Sequence, residues 1–417
     1  MKRFLLVMIM LAVLGLPTIV AQEEGGPAHV GLRPDAPEYA LHGPYWVGTR
    51  EVVINPDSER SLPATIWYPA LNPDGAEEAV VYDLGIADLL PEAWAAFQLN
   101  DYAGHALLNA QVDAAGGPYP LVIMSHGNGG TRYYGAYLYE HLASYGMVVI
   151  APSHIGNNMR AVFLPDDVIN NQLGPTTILR PQDISATITY ASSLPADDPL
   201  GGMVDPEHIA VMGFANGADS ALFLAGAPLD MNVFQSWCDS HPQFEARCTG
   251  ILGSEDEMAA AAGLDAAPDG AWPTMTDDRI DTIVALIPAM WFTEPVDLEA
   301  ISIPTLVMNG SAETMGASED EVVAMYNHLA GEKALVTFIG GDTGVLGGDI
   351  PGPAHDFPGW AHFVYDPVWN LERSADLTSH FVTAFLLTQF FGDEAAAAAL
   401  SAAAVQFPGI IYDTSGF

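Results

Sequence analysis

Two glycines flank an alanine at a place built for a nucleophile. Around residue 213 the chain reads HIAVMGFANGADSALFLAG. The apolar, β-branched run His208–Met212 leads into Gly213-Phe214-Ala215-Asn216-Gly217, and a small-residue helical stretch follows. A strand–turn–helix junction of the form G-x-S-x-G lifts its middle serine on a strained turn at the end of a sheet, where the hydroxyl can attack an acyl carbon. Both glycines, needed where backbone passes close to backbone, are present here. The middle side chain, Ala215, is a methyl group and cannot attack.

Some 85 residues earlier, His126-Gly127-Asn128-Gly129-Gly130 follows the apolar run PLVIMS and precedes a helical stretch. A glycine-rich turn of this kind, with Asn128 at its centre, can aim backbone N–H groups at a developing oxyanion. The N–H of Asn216 is the second candidate donor. Alone the turn reads equally as an ordinary strand-to-helix connection; paired with Gly213–Gly217 it points to acyl transfer. Glu313, in Gly310-Ser311-Ala312-Glu313 after the run PTLVMN, is the candidate acid, or else one more solvated carboxylate in an acidic chain. A general base is expected after the run LVTFI. The chain places Gly340-Gly341-Asp342-Thr343-Gly344 there, and Thr343 has no useful pKa for a base near neutrality. The next histidines, His355 and His362, lie on a long glycine- and proline-rich loop and read as loop residues that could reach the site only by swinging inward. The spaced aspartates of that loop (Asp342, Asp349, Asp356) are too few for a calcium loop.

The elements that must hold these residues alternate. VGTREVVI and PATIWYPA read as an antiparallel strand pair; PLVIMS, GMVVIAP, the run before Gly213, TIVALIP, PTLVMN and LVTFI read as later strands. Helices are expected over Tyr134–Tyr145, Arg180–Leu194 (with Pro181 in its first turn) and Ser374–Phe391. Strands alternating with helices imply an α/β fold: a mostly parallel central sheet with helices on both faces. Every motif above falls at the carboxyl end of a strand, where such sheets bind ligands. Residues 1–21 (MKRFLLVMIMLAVLGLPTIVA) read as a secretory signal peptide, residues 22–44 as a flexible leader, and residues 45–417 as one domain with an insertion at about 227–280, after the elbow helix.

The 417 residues carry 12 basic and 52 acidic side chains, a formal net charge of −40, which excludes nucleic acid as a partner. It fits a well-solvated exported protein, with adaptation to high salt or steering of cationic substrates as alternatives. No second apolar run is long enough to span a bilayer. Cys238 and Cys248, ten positions apart in a polar stretch, are expected to form one local disulfide in an oxidising compartment. His241 between them does not complete a metal-ligand set, so neither a metal nor a cofactor is expected.

With these segments in view, the chain resembles the secreted platelet-activating-factor-acetylhydrolase/dienelactone-hydrolase-like α/β-hydrolases over roughly residues 45–417. The resemblance rests on PLVIMSHGNGG, VVIAPSHIGNN, RPQDI, HIAVMGFANGADSAL, the cysteine-bearing insertion, IPTLVMNGSAE and DPVWNLERSADLTSHFVTAFLL. It implies the α/β-hydrolase fold and hydrolysis of carboxylic esters by a Ser…Asp…His triad. All three triad positions depart: Ala215 replaces the serine, Glu313 the aspartate and Thr343 the histidine. The oxyanion elements are kept, and His154 and Arg180 match family segments without an evident role. The resulting expectation is a pseudoenzyme of ester-hydrolase lineage that binds an acyl or ester small molecule. The alternatives are an active esterase using a displaced histidine, a serine-to-alanine variant of an active enzyme, or a structural extracellular protein with no ligand.

Overall fold

The computed structural model describes residues 26–163, 166–348 and 365–417. β1 (Trp46–Ile54) and β2 (Leu62–Ala70) pair antiparallel. β3 (Val80–Asp83) and β4 (Asp101–Gly104) form a separate ribbon, and the short β5 (Leu107–Leu108) runs along β1. The parallel centre comprises β6 (Tyr119–Ser125), β7 (Val148–Pro152), β8 (Val204–Phe214), β9 (Thr282–Leu286), β10 (Thr305–Gly310) and β11 (Lys333–Phe338). β12 (Ile410–Ser415) closes the far edge antiparallel to β11. The order across the large sheet is β12-β11-β10-β9-β8-β6-β7-β2-β1-β5.

Why both faces are covered follows from the two-residue period of a strand. In β6, Leu121 and Ile123 join one apolar cluster, while Val122 and Met124 join another. Helices α1 (Ala136–Ser144), α2 (Asp166–Ser192) and α3 (Asn216–Ala225) divide accordingly. Ile184 and Ile188 of α2 and Leu222 of α3 cover the first face; Leu138 and Leu142 of α1, with Phe381 and Phe385 of the C-terminal helix Leu371–Phe391, cover the second. Strands buried on both sides read as continuous apolar runs, which is what the sequence displays. This is the α/β-hydrolase architecture.

Two expectations need correction. The helix expected from Arg180 begins at Asp166 and carries Pro175 and Pro181 inside it. Each interior proline costs about 3 kcal/mol of helix stability. Leu173 and Ile178, buried in the core on either side of Pro175, supply tertiary packing that overrides this local cost. Residues 26–44 are not a loose leader. The backbone N–H groups of Leu32 and Arg33 donate to the two oxygens of Asp376 (2.9 and 3.0 Å), and Tyr39 and Ala40 are buried against the C-terminal helix. The stretch after residue 227 is helical: α4 (Met231–Ser240), α5 (Glu245–Leu252) and α6 (Glu255–Ala261). Cys238 of α4 and Cys248 of α5 are disulfide-bonded, as the spacing predicts. A further helix, α7 (Glu319–His328), opens on a capping box formed by Ser318 and Glu321. No described helix is long and apolar enough to cross a membrane. The signal-peptide reading of residues 1–21 and both His355 and His362 lie outside the described residues.

Candidate functional site

Ala215 sits between the last residue of β8 and the first of α3 with φ 50° and ψ −118°, a conformation that L side chains avoid. The surroundings enforce it. Its N–H donates to the Leu286 carbonyl (2.9 Å), and its own carbonyl accepts from the N–H groups of Ala218 (2.8 Å) and Asp219 (3.2 Å). A Cβ on Gly213 would overlap the Gly217 carbonyl, and one on Gly217 would overlap the Ser125 carbonyl. Both glycines are therefore fixed by close approach. The elbow is fully formed around a methyl group.

The glycine turn lies against it. A side chain on Gly127 would meet the Ala215 Cβ at 3.5 Å. Within the turn, Gly129 (φ 65°) donates to the Asn157 carbonyl at 3.1 Å, and Asn128 Oδ1 accepts from Asn157 Nδ2 at 2.5 Å. The Asn128 side chain is thus engaged by the loop after β7. Asn216 opens α3, at the end of the helix where N–H groups lack intrahelical partners.

Glu313 and Thr343 follow the carboxyl ends of β10 and β11, and they meet. Thr343 Oγ1 donates to Glu313 Oε1 at 2.8 Å, and the same oxygen accepts from the N–H groups of Met315 (2.6 Å) and Gly316 (2.8 Å). Glu313, the candidate acid, is therefore held against the hydroxyl of Thr343, the residue at the expected place of the base. That hydroxyl spends its one proton on the carboxylate and offers no proton sink.

Among the described residues, the imidazoles near the elbow are His126 and His154, and both have their ring nitrogens engaged elsewhere. His126 donates from Nδ1 to the Gly127 carbonyl (2.8 Å) and accepts at Nε2 from the His154 N–H (3.1 Å). His154 accepts a hydrogen bond from Ser125 Oγ at Nε2 (2.9 Å) and donates from Nδ1 to Asp183 Oδ2 (2.8 Å). Burial pushes His154 down to about 4 and His126 well below its ordinary range, so both rings are neutral. Ser125, His154 and Asp183 reproduce the connectivity of a catalytic triad, but they are 0 %, 0 % and 2 % exposed. A sealed serine cannot meet an ester, and the relay serves to hold the glycine turn. Arg60 completes it with paired hydrogen bonds to Asp183 (2.6 and 2.7 Å). Arg180 Nη2 donates to the His126 carbonyl, which gives that buried arginine its place in the same brace.

Sequence reasoning quoted the segment containing Asp183 without assigning it, and missed Ser125 and Asp219. Asp219 Oδ1 accepts from the N–H groups of Ala289 (2.9 Å) and Met290 (3.0 Å), pinning the turn after β9 beneath the elbow. Burial raises its carboxyl to about 6. An acid on α3 in so acidic a chain carried no signal of burial.

Comparisons with known proteins bear on the fold that carries this site. Residues 34–177 match the sequence profile of platelet-activating factor acetylhydrolase, isoform II. The matched stretch holds the glycine turn and His154 and ends before the elbow. No curated protein sequence matches the chain. Among solved structures, a ferulic acid esterase from Streptomyces cinnamoneus superposes with a TM-score of 0.55 at 18% identity, covering 92% of this chain and 99% of that one. At that identity the likeness is one of fold. Profile match and shared architecture together support an α/β-hydrolase fold similar to that of platelet-activating-factor acetylhydrolases and esterases.

Proposed function

We propose that this protein is an exported pseudoenzyme of carboxylic-ester-hydrolase lineage, silent by the serine mechanism, whose elbow and glycine turn persist as a frame for an acyl or ester ligand. The observation that carries the reading is the Thr343–Glu313 hydrogen bond beside an elbow that ends in Ala215. Nucleophile and base are both replaced, while the acid, the turn and the strained backbone remain. Removing a triad nucleophile or base costs about a millionfold in turnover. Export is supported by the N-terminal apolar run and by a disulfide that fits an oxidising compartment.

Hydrolysis of p-nitrophenyl acetate tests the reading. The natural chain is expected to match its denatured control. Ala215→Ser alone should gain little, because a serine without a base stays protonated at neutral pH. Ala215→Ser with Thr343→His should exceed the single variant by roughly a hundredfold or more, since the two groups act as a unit. Efficient hydrolysis by the single variant would reveal a displaced base and replace the pseudoenzyme with a serine-to-alanine variant of an active enzyme. Efficient hydrolysis by the natural chain would overturn both readings.

A further inference from the structure

Beneath the elbow, on the side of α2, a pocket opens between α2, α3, α5 and the turn after β9. Neither Glu313 nor Thr343 lines it, whereas Asn216, the candidate oxyanion donor, does. Phe223, Ile251 and Phe292 give it apolar walls. Its polar side chains are unevenly satisfied. Thr176, Thr177 and Ser220 each donate to carbonyls of their own helix, and Asn157 donates to Asn128. What remains is rich in donors. Arg180, 2 % exposed, uses Nη2 on the His126 carbonyl, whereas its Nε and Nη1 have no partner among the described residues. Trp291 Nε1 is likewise buried without a partner among them. The one acceptor left over is Asp219 Oδ2. Asp219 lines the same pocket and, with Asp183, acts on the Arg180 charge through space, but it makes no hydrogen bond to the guanidinium, so the free N–H groups have no acceptor among the described residues there.

We propose that this pocket binds the carboxylate of a small aliphatic monocarboxylate, with Arg180 and Trp291 as its donors. Buried N–H groups of a guanidinium left without acceptors are costly, and an acceptor-rich guest relieves them. Size restricts the guest. The pocket leaves about 20 Å³ in which the centre of a water-sized atom can sit. A single water needs roughly 10–15 Å³ by this measure, so a two-oxygen head with a short chain is the limit. Asp219 does not contradict the assignment: burial raises it to about 6, and a neighbouring carboxylate raises it further, so Oδ2 takes up a proton and donates to the guest. Charge is balanced by the cationic Arg180.

Such a site presupposes the ligand frame proposed above, but binding reads the one and turnover the other, so either can fail alone. Calorimetric titration of the intact protein with sodium acetate at pH 7.5 and constant ionic strength tests it, with sodium chloride and methylammonium chloride as controls. Saturable one-to-one binding of acetate is expected, with none of methylammonium. Trp291→Phe keeps an aromatic wall and removes one donor, and should weaken acetate about tenfold. Asp219→Asn keeps the acceptor for Ala289 and Met290 and supplies an N–H without proton uptake, so it should tighten acetate several-fold. The two variants thus shift affinity in opposite directions, which a general loosening of the fold does not do. Absence of saturable acetate binding, acetate no tighter than chloride, or equal affinity in both variants and the parent would overturn the proposal.

Discussion

At residue scale, the informative fact is that strain outlives its usual purpose. Ala215 holds φ 50° with no hydroxyl to present. A non-glycine residue there costs about 1–3 kcal/mol, offset by the hydrogen bonds that Leu286, Ala218 and Asp219 make with its backbone. Glycine occupies such a conformation without penalty but loses about 0.5–1 kcal/mol of unfolded-chain entropy. Ala215→Gly should therefore stabilise the protein by about 1 kcal/mol, read as a higher denaturant midpoint with unchanged slope. A lower midpoint would mean that the contact of the Ala215 methyl with the Gly127 turn outweighs the strain. The sealed Ser125–His154–Asp183 relay makes a related point. Three residues of the right types at the right distances are not a catalytic site when all three are sealed from solvent, and here their hydrogen bonds brace His126 and the turn that follows it.

At element scale, the insertion depends on one covalent link. Cys238 and Cys248 close a short loop between α4 and α5. In the chain-entropy account a loop of about ten residues gains about 2–3 kcal/mol from its disulfide. Replacing both cysteines by serine should lower stability by about that amount, seen as a lower melting temperature; a change below about 0.5 kcal/mol would show that the α4–α5 packing needs no staple. Legibility of the elements followed burial. β6, β10 and the Ile209–Phe214 half of β8 are buried on both faces, and their near-continuous apolar runs next to glycine turns made them readable. α2 was not readable before Arg180, because Pro175 and Pro181 carry the local signal of a break while Leu173 and Ile178 are held by tertiary contacts that no window of sequence displays. β12 was missed for the opposite reason. IIYDTS is a half-exposed edge strand, and it follows an alanine-rich stretch with nothing to announce a turn back to the sheet. Within the site, Ala215, Asn216, Glu313 and Thr343 stood out by position after a strand. Asp183 and Asp219 could not, since the burial that gives them their roles comes from helices packing on the sheet.

At the scale of the whole molecule, buried ionisable groups pull stability in two directions with pH. Burial raises Asp219 to about 6, Glu78 to about 7 and Glu140 to about 8. For these the native state keeps a proton that the unfolded chain has lost. Their contribution is full below the ordinary values of 3.8 and 4.5 and declines as pH rises toward the folded values. Burial lowers His141, His154 and His380 to about 4 from an ordinary 6.5. There the unfolded chain binds the proton, so stability is full above 6.5 and is lost as pH falls toward 4. The two trends cross between about 4.5 and 6.5, and above that interval only the carboxylate losses continue. The formal charge of −40 adds self-repulsion that grows as the last carboxylates ionise. Screening acts on that repulsion, with a Debye length of about 10 Å at 0.1 M salt and about 3 Å at 1 M. The melting temperature should therefore peak at mildly acidic pH, rise with sodium chloride at pH 8, and rise less with the same salt near pH 5. Calorimetric scans over that grid check it. A peak at pH 8 would mean that the buried carboxylates are ionised in the native state without penalty. A salt response equal at both pH values would mean that surface repulsion does not depend on the groups that titrate between them.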